Sequence, residues 1–220
     1  MNMKHYPVNL NIKGRNCLVV GGGRVGARKA KALARCGALV TIVSPEFSDR
    51  LDNQNNITLK KKPYDVSDLD NMFLVFGATD NQDINRQVWQ DAQQKNILCS
   101  IADFPEGSSF ILPAVVRRGD LVITVSTSGS SPAFAKKLKK DLENAFGEEY
   151  AEFLYLMGRI RKRLLDEKHA PEEHKAAFEA FISNGLLDMI KAKEISKIDD
   201  LLFKILGSNY TYNDLASRRE

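Results

Sequence analysis

The first hundred residues alternate short, wholly apolar runs with amphipathic stretches. Cys17-Leu18-Val19-Val20 is a continuous apolar run, the pattern of a strand covered on both faces. It meets Gly21-Gly22-Gly23, after which Val25, Ala30, Leu33 and Ala34 form an apolar stripe at helical spacing, with Arg28, Lys29, Lys31 and Arg35 on the other faces. The spacing predicts a helix over Val25 to Cys36, stopped by Gly37 as a C′ residue. Leu39-Val40-Thr41-Ile42-Val43 is a second buried-type run, and the three segments make a β-α-β unit. Ile57-Thr58-Leu59-Lys60, Met72-Phe73-Leu74-Val75-Phe76 and Ile97-Leu98-Cys99-Ser100 predict three further strands. A helix over Gln82 to Lys95, with Trp89 on its core side, precedes the last of them. Pro7-Val8-Asn9-Leu10 alternates and predicts an extra strand ahead of the unit, followed by a turn at Asn11 to Arg15.

From Ser109 the pattern changes. Phe110-Ile111-Leu112, Val115-Val116 and Leu121 to Val125 predict short strands, the last two joined by a tight turn at Arg117-Arg118-Gly119-Asp120. A hairpin breaks the β-α alternation, so a second structural unit is expected from about Pro113. Ser131 as N-cap and Pro132 at N1 open a helix running to about Phe146, which carries Lys136, Lys137, Lys139 and Lys140. Tyr150, Phe153, Leu154, Met157, Ile160 and Leu164, then Phe178, Phe181 and Ile182, keep the helical period, and Leu201-Leu202 with Ile205-Leu206 close a last helix. Ser208 to Glu220 is polar and is expected to be loose. The fold class expected is α/β: a Rossmann-like parallel sheet domain over 1–112, a small α+β segment over 113–147 and a helical domain over 148–220.

Candidate chemistry gathers at the strand ends. Gly21, Gly23 and Gly26 stand in the register G-x-G-x-x-G between a strand and a helix, the fingerprint of a dinucleotide site. The first glycine permits the tight turn, the second lets a pyrophosphate approach the backbone, and the third allows helix to pack on strand. Glu46 lies 20 residues beyond Gly26, about where an acid binds the ribose hydroxyls of NAD; the alternatives are a solvated turn glutamate, and Arg50 pairing with a 2′-phosphate instead. Gly77-Ala78-Thr79-Asp80-Asn81 follows the fourth strand, with Thr79 as a candidate hydroxyl contact and Asp80 either a contact or the N-cap of the next helix. Asp103 follows the fifth strand, where a carboxylate is able to take a proton as hydride leaves; an aspartate before Phe104-Pro105 is also an ordinary turn residue. The hydroxyl-rich loop Ser126-Thr127-Ser128-Gly129-Ser130-Ser131 reads as an anion site or as simple helix capping.

Composition excludes more than it selects. A formal charge of +4 on 220 residues does not point to nucleic acid, but clustered lysines and arginines suit a polyanionic small molecule. The N-terminus lacks an apolar h-region and no apolar run reaches about 18 residues, so neither a leader nor a membrane span is expected and the protein is expected in the cytoplasm. Cys17, Cys36 and Cys99 are too far apart for a zinc site and read as buried, reduced thiols. His169 and His174 are five apart, a spacing that does not align on one helical face, and no metal site is expected. Lys60-Lys61-Lys62 reads as a solvated strand end.

Four stretches in order, V-V-G-G-G-R-V-G-A-R-K-A at 19–30, G-A-T-D-N at 77–81, A-D-F-P-E-G-S-S-F-I-L-P-A at 102–114 and V-S-T-S-G-S-S-P-A at 125–133, resemble the precorrin-2 dehydrogenase/sirohydrochlorin ferrochelatase family in its stand-alone form. The resemblance covers the whole chain and implies NAD-dependent oxidation of precorrin-2 to sirohydrochlorin, followed by insertion of ferrous iron as a second substrate. It puts Asp103 at the family's catalytic aspartate, and Arg24, Val25, Pro45 and Glu46 at its NAD contacts. It implies a tetrapyrrole substrate and a homodimer assembled through the segment over 113–147; the hydroxyl loop, at Ser126, Thr127 and Ser128, and the nearby Lys136 are the residues expected to receive the carboxylates of such a macrocycle. The serine phosphorylated in some members falls on Thr127 here, so that modification is not carried over. Two alternatives stay open: a dehydrogenase without chelatase activity, and a non-catalytic NAD-sensing module. A small-substrate dehydrogenase is disfavoured, because no catalytic His or Tyr-Lys pair is evident.

Overall fold

The computed structural model describes residues 5–49, 55–167 and 171–217, with backbone alone for 171–173. The chain divides into two compact units that join between Leu112 and Pro113. The first contains a five-stranded, all-parallel sheet in the order β3-β2-β1-β4-β5, built from β1 (Asn16–Gly22), β2 (Leu39–Phe47), β3 (Ile57–Lys61), β4 (Leu74–Gly77) and β5 (Leu98–Ile101), with helices α1 (Arg24–Arg35) and α2 (Gln82–Gln94). The order reverses between β1 and β4, so their carboxyl ends flank a topological switch point, where open α/β sheets bind ligands.

Both faces of the sheet are covered, which explains the unbroken apolar runs. Cys17, Val19, Val40, Ile42 and Phe76 pack with Ala30, Leu33 and Ala34 of α1 on one face. Leu18, Val20, Val43, Val75 and Cys99 pack with Val88 and Ala92 of α2 on the other. Burial pushes the Cys17 thiol up to about 11 and the Cys99 thiol up to about 12, so both stay protonated and inert at neutral pH. Cys36 differs from expectation: it is the exposed C-cap of α1. Lys62 does more than solvate a strand end, since its ammonium lies 2.6 Å from the buried carboxylate of Asp68, in a turn of 3-10 helix.

Two predicted strands do not form. Residues 7–10 carry no ladder, and Val8 and Leu10 are exposed; Ile12 is the member of this segment that reaches the core. Residues 110–112 are also irregular, because serine hydroxyls meet the edge of β5 where backbone groups would in a strand. Ser109 Oγ accepts from Cys99 N at 3.2 Å, Ser109 N donates to Cys99 O at 2.7 Å, and Ser108 Oγ accepts from Ile101 N at 2.9 Å. The edge is thereby satisfied without a sixth strand, and Phe110 lies edge-on to Phe76.

The second unit begins with an antiparallel hairpin, β6 (Ala114–Arg118) and β7 (Leu121–Val125), turned at Gly119 with φ +55°. Among the described residues six helices follow: α3 (Pro132–Ala145), α4 (Glu149–Asp166), α5 (Pro171–Ser183), α6 (Leu186–Ala192), α7 (Ile195–Leu206) and α8 (Tyr212–Ala216). Arg118 ties the hairpin to this bundle, donating through Nη2 to Glu143 O at 2.9 Å and pairing with Glu148. Residues 208–217 are not loose. Tyr210 and Leu215 are buried, Thr211 caps α8, and the Tyr210 hydroxyl donates to Glu167 at 2.6 Å. Phe181 is fully buried in the core of this unit with Leu156, Ile160, Leu186 and Leu202. Phe181→Ala is therefore expected to lower stability by about 3–5 kcal/mol, read as a fall in the midpoint of the helical circular-dichroism melt.

Candidate active site

Three glycines of the β1–α1 turn meet three different constraints. Gly21 has φ +116°, and a Cβ added there would stand 2.4 Å from Ala78 O, so the end of β1 presses directly on the end of β4. A Cβ on Gly26 would stand 1.9 Å from Gly21 O, so the helix backs onto the turn through the space a side chain would fill. Gly23 is the N-cap of α1 and faces open space, with nothing within 4 Å of an added Cβ. No side chain caps this helix and its first turn holds no acid. Its leading N–H groups and positive dipole end are thus open to an anion. Arg24 and Val25, exposed in that turn, flank the same opening. These features fit the pyrophosphate of a dinucleotide. Gly23→Ala has no strained φ and no clash to overcome, so the melting midpoint should hold while the NAD dissociation constant rises about tenfold or more, an affinity loss of ~1.4 kcal/mol; fluorescence titration of Trp89 measures it.

The register of β2 then shifts against β1. Val20 pairs with Val43, but Gly22 pairs with Phe47, so Ser44, Pro45 and Glu46 bulge across the glycine turn. A Cβ on Gly22 would lie 2.2 Å from Glu46 O, and Ser48 N donates to Gly22 O at 2.9 Å. Ser44 is buried, whereas Pro45 and Glu46 are exposed at the rim beside the turn. Arg50 lies outside the described residues.

On the other side of the switch point, the cap of α2 is Asn81 and not Asp80, which is exposed. Asn81 Oδ1 accepts from Asp83 N at 2.9 Å and Ile84 N at 3.2 Å. The Thr79 hydroxyl points inward, 2.9 Å from Asn81 O and 2.8 Å from Asn85 Oδ1. Asn85, on α2, is 1% exposed and was not singled out by the sequence reading. Its Nδ2 donates to Thr79 O at 3.0 Å and to Asp103 Oδ1 at 2.9 Å, while its Oδ1 also accepts from Thr79 N at 3.2 Å. Asp103 is thereby joined to the β4 turn, whose Ala78 carbonyl abuts Gly21, so its carboxylate stands on the same rim of the sheet as the glycine turn. Its own loop is braced by Phe104, which lies edge-on to Trp89 at 5.5 Å and fills the space a side chain at Gly107 would take. The signal for Asn85 was present in principle: Asn85, Val88 and Ala92 share one buried stripe, and an amide in such a stripe needs partners.

In the second unit the 126–131 loop is self-braced. Ser126 Oγ accepts from Ser128 N at 3.1 Å, Thr127 Oγ1 accepts from Ser131 N at 3.1 Å, and Ser131 Oγ caps α3 by accepting from Phe134 N at 3.2 Å. Ser128 and Gly129 both adopt positive φ, +51° and +87°. The hydroxyls of Ser126 and Thr127 accept within the loop, and a hydroxyl that accepts still has a hydrogen to donate. On α3, Lys137 and Lys139 pair with Asp141 and Glu143 one turn on, and Lys136 is exposed near the helix start. His169 lies outside the described residues, and His174 is buried on α5. Among the described residues, no group of three or more His, Cys, Asp or Glu side chains is placed to hold a metal ion, and no helix is long and apolar enough to cross a membrane.

The parallel sheet, its switch point and the three-glycine turn define a dinucleotide-binding protein of the Rossmann class, and the NAD(P)-binding family model matches residues 8–114. Residues 118–145 match a second model, described as sirohaem biosynthesis protein, central. The sirohaem synthases of Salmonella dublin and Salmonella typhi are each 32% identical over 188 residues, covering 84% of this chain and 41% of the relative. The chain thus spans about two fifths of the length of these curated relatives. A solved structure of SirC, a precorrin-2 dehydrogenase, superposes with a TM-score of 0.77 at 26% identity, covering 91% of this chain and 98% of that one. Over most of its length the chain is thus similar to proteins of sirohaem biosynthesis, to the sirohaem synthases in sequence and to SirC in fold.

Proposed function

We propose that this protein oxidises precorrin-2 to sirohydrochlorin with NAD as the oxidant, and that Asp103 is its proton acceptor. The observation that carries the reading is the Asp103 carboxylate, hydrogen-bonded through Asn85 to the turn that abuts the glycine loop. Gly21, Gly23 and Gly26 with the first turn of α1, including Arg24 and Val25, would hold the pyrophosphate. Pro45 and Glu46 would lie along the adenosine ribose; a carboxylate there accepts from the 2′-hydroxyl and repels a 2′-phosphate, which favours NAD over NADP. Thr79 has its hydroxyl turned to Asn81 and Asn85, so its part in the cofactor site would be to shape the turn after β4 that abuts the glycines. When bound, NAD supplies the hydride acceptor. The substrate loses two hydrogens: one leaves as hydride, and Asp103 takes the other as a proton and passes it to water.

Ser126, Thr127, Ser128 and Lys136 are proposed to receive the carboxylates of the macrocycle, chemistry that suits hydroxyl donors and an exposed lysine. Homodimerisation through the segment over 113–147, location in the cytoplasm and a helical domain from 148 belong to the same proposal. Ferrous iron would enter as a second substrate, held by the ring nitrogens, giving sirohaem. The test mixes the purified protein with enzymatically generated precorrin-2 and NAD and follows NADH absorbance. Turnover supports the reading, and NAD binding without NADH formation overturns it in favour of a sensing module. Adding ferrous iron and recording the macrocycle spectrum decides the chelatase step.

A further inference from the structure

We propose that Asn85 is a positioning residue for the reaction: it holds Asp103 through one hydrogen bond whose direction is set by the backbone of Thr79. The proposal rests on the function proposed above. The hydrogen-bonding capacity of Asn85 is fully used, by Thr79 N and Thr79 Oγ1 at its oxygen and by Thr79 O and Asp103 Oδ1 at its nitrogen. Side-chain amides often admit either orientation, but this one does not. A backbone N–H only donates and a backbone carbonyl only accepts, so Thr79 fixes the Asn85 oxygen on one side and its NH2 on the other. The remaining N–H is therefore aimed at Asp103. A donor there fixes the orientation of the side chain through one of its two oxygens. It also leaves Asp103 Oδ2 without a partner among the described residues, available for substrate.

The surroundings keep Asn85 in place. It is 1% exposed and lies alongside Gly77, where a Cβ would stand in ordinary contact with Asn85 Oδ1 at 3.4 Å but would press on Ile101 Cδ1 at 2.5 Å. The asparagine reaches across from α2 to two loops, one after β4 and one after β5. A leucine would fill the same stripe beside Val88 and Ala92 but would leave Thr79 N and O unpaired and Asp103 unheld. Asp103 lies on an exposed loop, so little else restrains its side chain.

Asn85→Asp tests this with almost no change in volume. The oxygen facing Thr79 N is retained, while the donor facing Asp103 becomes a second acceptor. The expected result is a fall in kcat of about 30- to 100-fold, the scale of a misplaced catalytic group, with KM and the NAD dissociation constant within about twofold of wild type. In the Asp103→Asn background the same substitution should lower the residual rate no further, because the effect passes through Asp103. In cofactor-free protein labelled with 13C at aspartate Cγ, the Asp103 resonance, identified by its loss in Asp103→Asn, should move in Asn85→Asp. If that variant does not fold, Asn85→Ala is read in the same way. Losses that multiply in the double variant, retained kcat, or an unmoved Asp103 resonance would each overturn the positioning role. A wild-type protein that binds NAD yet makes no NADH overturns the function itself, a result distinct from all of these.

Discussion

Asp103→Asn is expected to lower NADH formation from precorrin-2 by about 10²–10⁴-fold, the usual contribution of a general base, and to leave NAD binding and the melting midpoint near wild type. The substitution preserves shape, and the carboxamide oxygen can still accept from Asn85 Nδ2, the bond that holds the native carboxylate at 2.9 Å. Phe104 stays edge-on to Trp89, and the loop keeps its anchor. What disappears is the capacity to take a proton at the rim of the sheet. Because Asp103 lies on the exposed loop after β5 and outside the packed core, a loss of turnover here cannot be passed off as a loss of folding. The fluorescence of Trp89, the only tryptophan in the chain, reports both loop integrity and NAD binding in the same sample. Turnover at the wild-type rate would remove Asp103 from the chemistry.

The parts of the fold that sequence made legible are those dictated locally. An apolar run with no polar position specifies a strand covered on both faces, and β1, β2 and β4 read that way because α1 and α2 cover the sheet. The glycine spacing was readable because the three positions belong to one short turn, within which Gly26 meets Gly21, although the partner of Gly21 itself, Ala78, is distant in sequence. What stayed hidden depends on distant segments meeting. Asn85 finds its partners in Thr79 and Asp103, and the latter is 18 residues away across β5. From sequence alone it is one more polar residue on a polar helix. Ser108 and Ser109 replaced a predicted strand pairing because their hydroxyls reach the β5 edge, a match no periodicity encodes. The segment after Ser208 looked too polar to pack, yet Tyr210 and Leu215 suffice to dock it because α4, α6 and α7 leave an apolar surface for them. Asp80 and Asn81 show the limit of local rules: both are good caps, and Asn81 prevails because its oxygen reaches two helix N–H groups.

Gly26→Ala should unfold or severely destabilise the first unit, in contrast to Gly23→Ala three residues earlier. One added methyl group would sit 1.9 Å from a backbone carbonyl oxygen and 3.4 Å from Val19 Cγ1, so relief requires α1 to move off the sheet. That movement would separate Ala27, Ala30, Leu33 and Ala34 from the face formed by β1 and β2. A strained core insertion of this kind lies at the severe end of single substitutions, about 3–5 kcal/mol. The same shift would carry the N-terminal N–H groups of α1 out of the opening at Gly23, so NAD affinity should vanish together with stability. The two units allow the damage to be located. Trp89 belongs to α2 and reports the first unit alone, whereas most of the helical circular dichroism arises from α3 to α8 in the second, which has a core of its own. In Gly26→Ala the tryptophan transition should therefore fall steeply in temperature while most of the helical signal persists. A variant that melts like wild type and still binds NAD would mean that the contact between Gly26 and Gly21 is not where helix and strand are locked together.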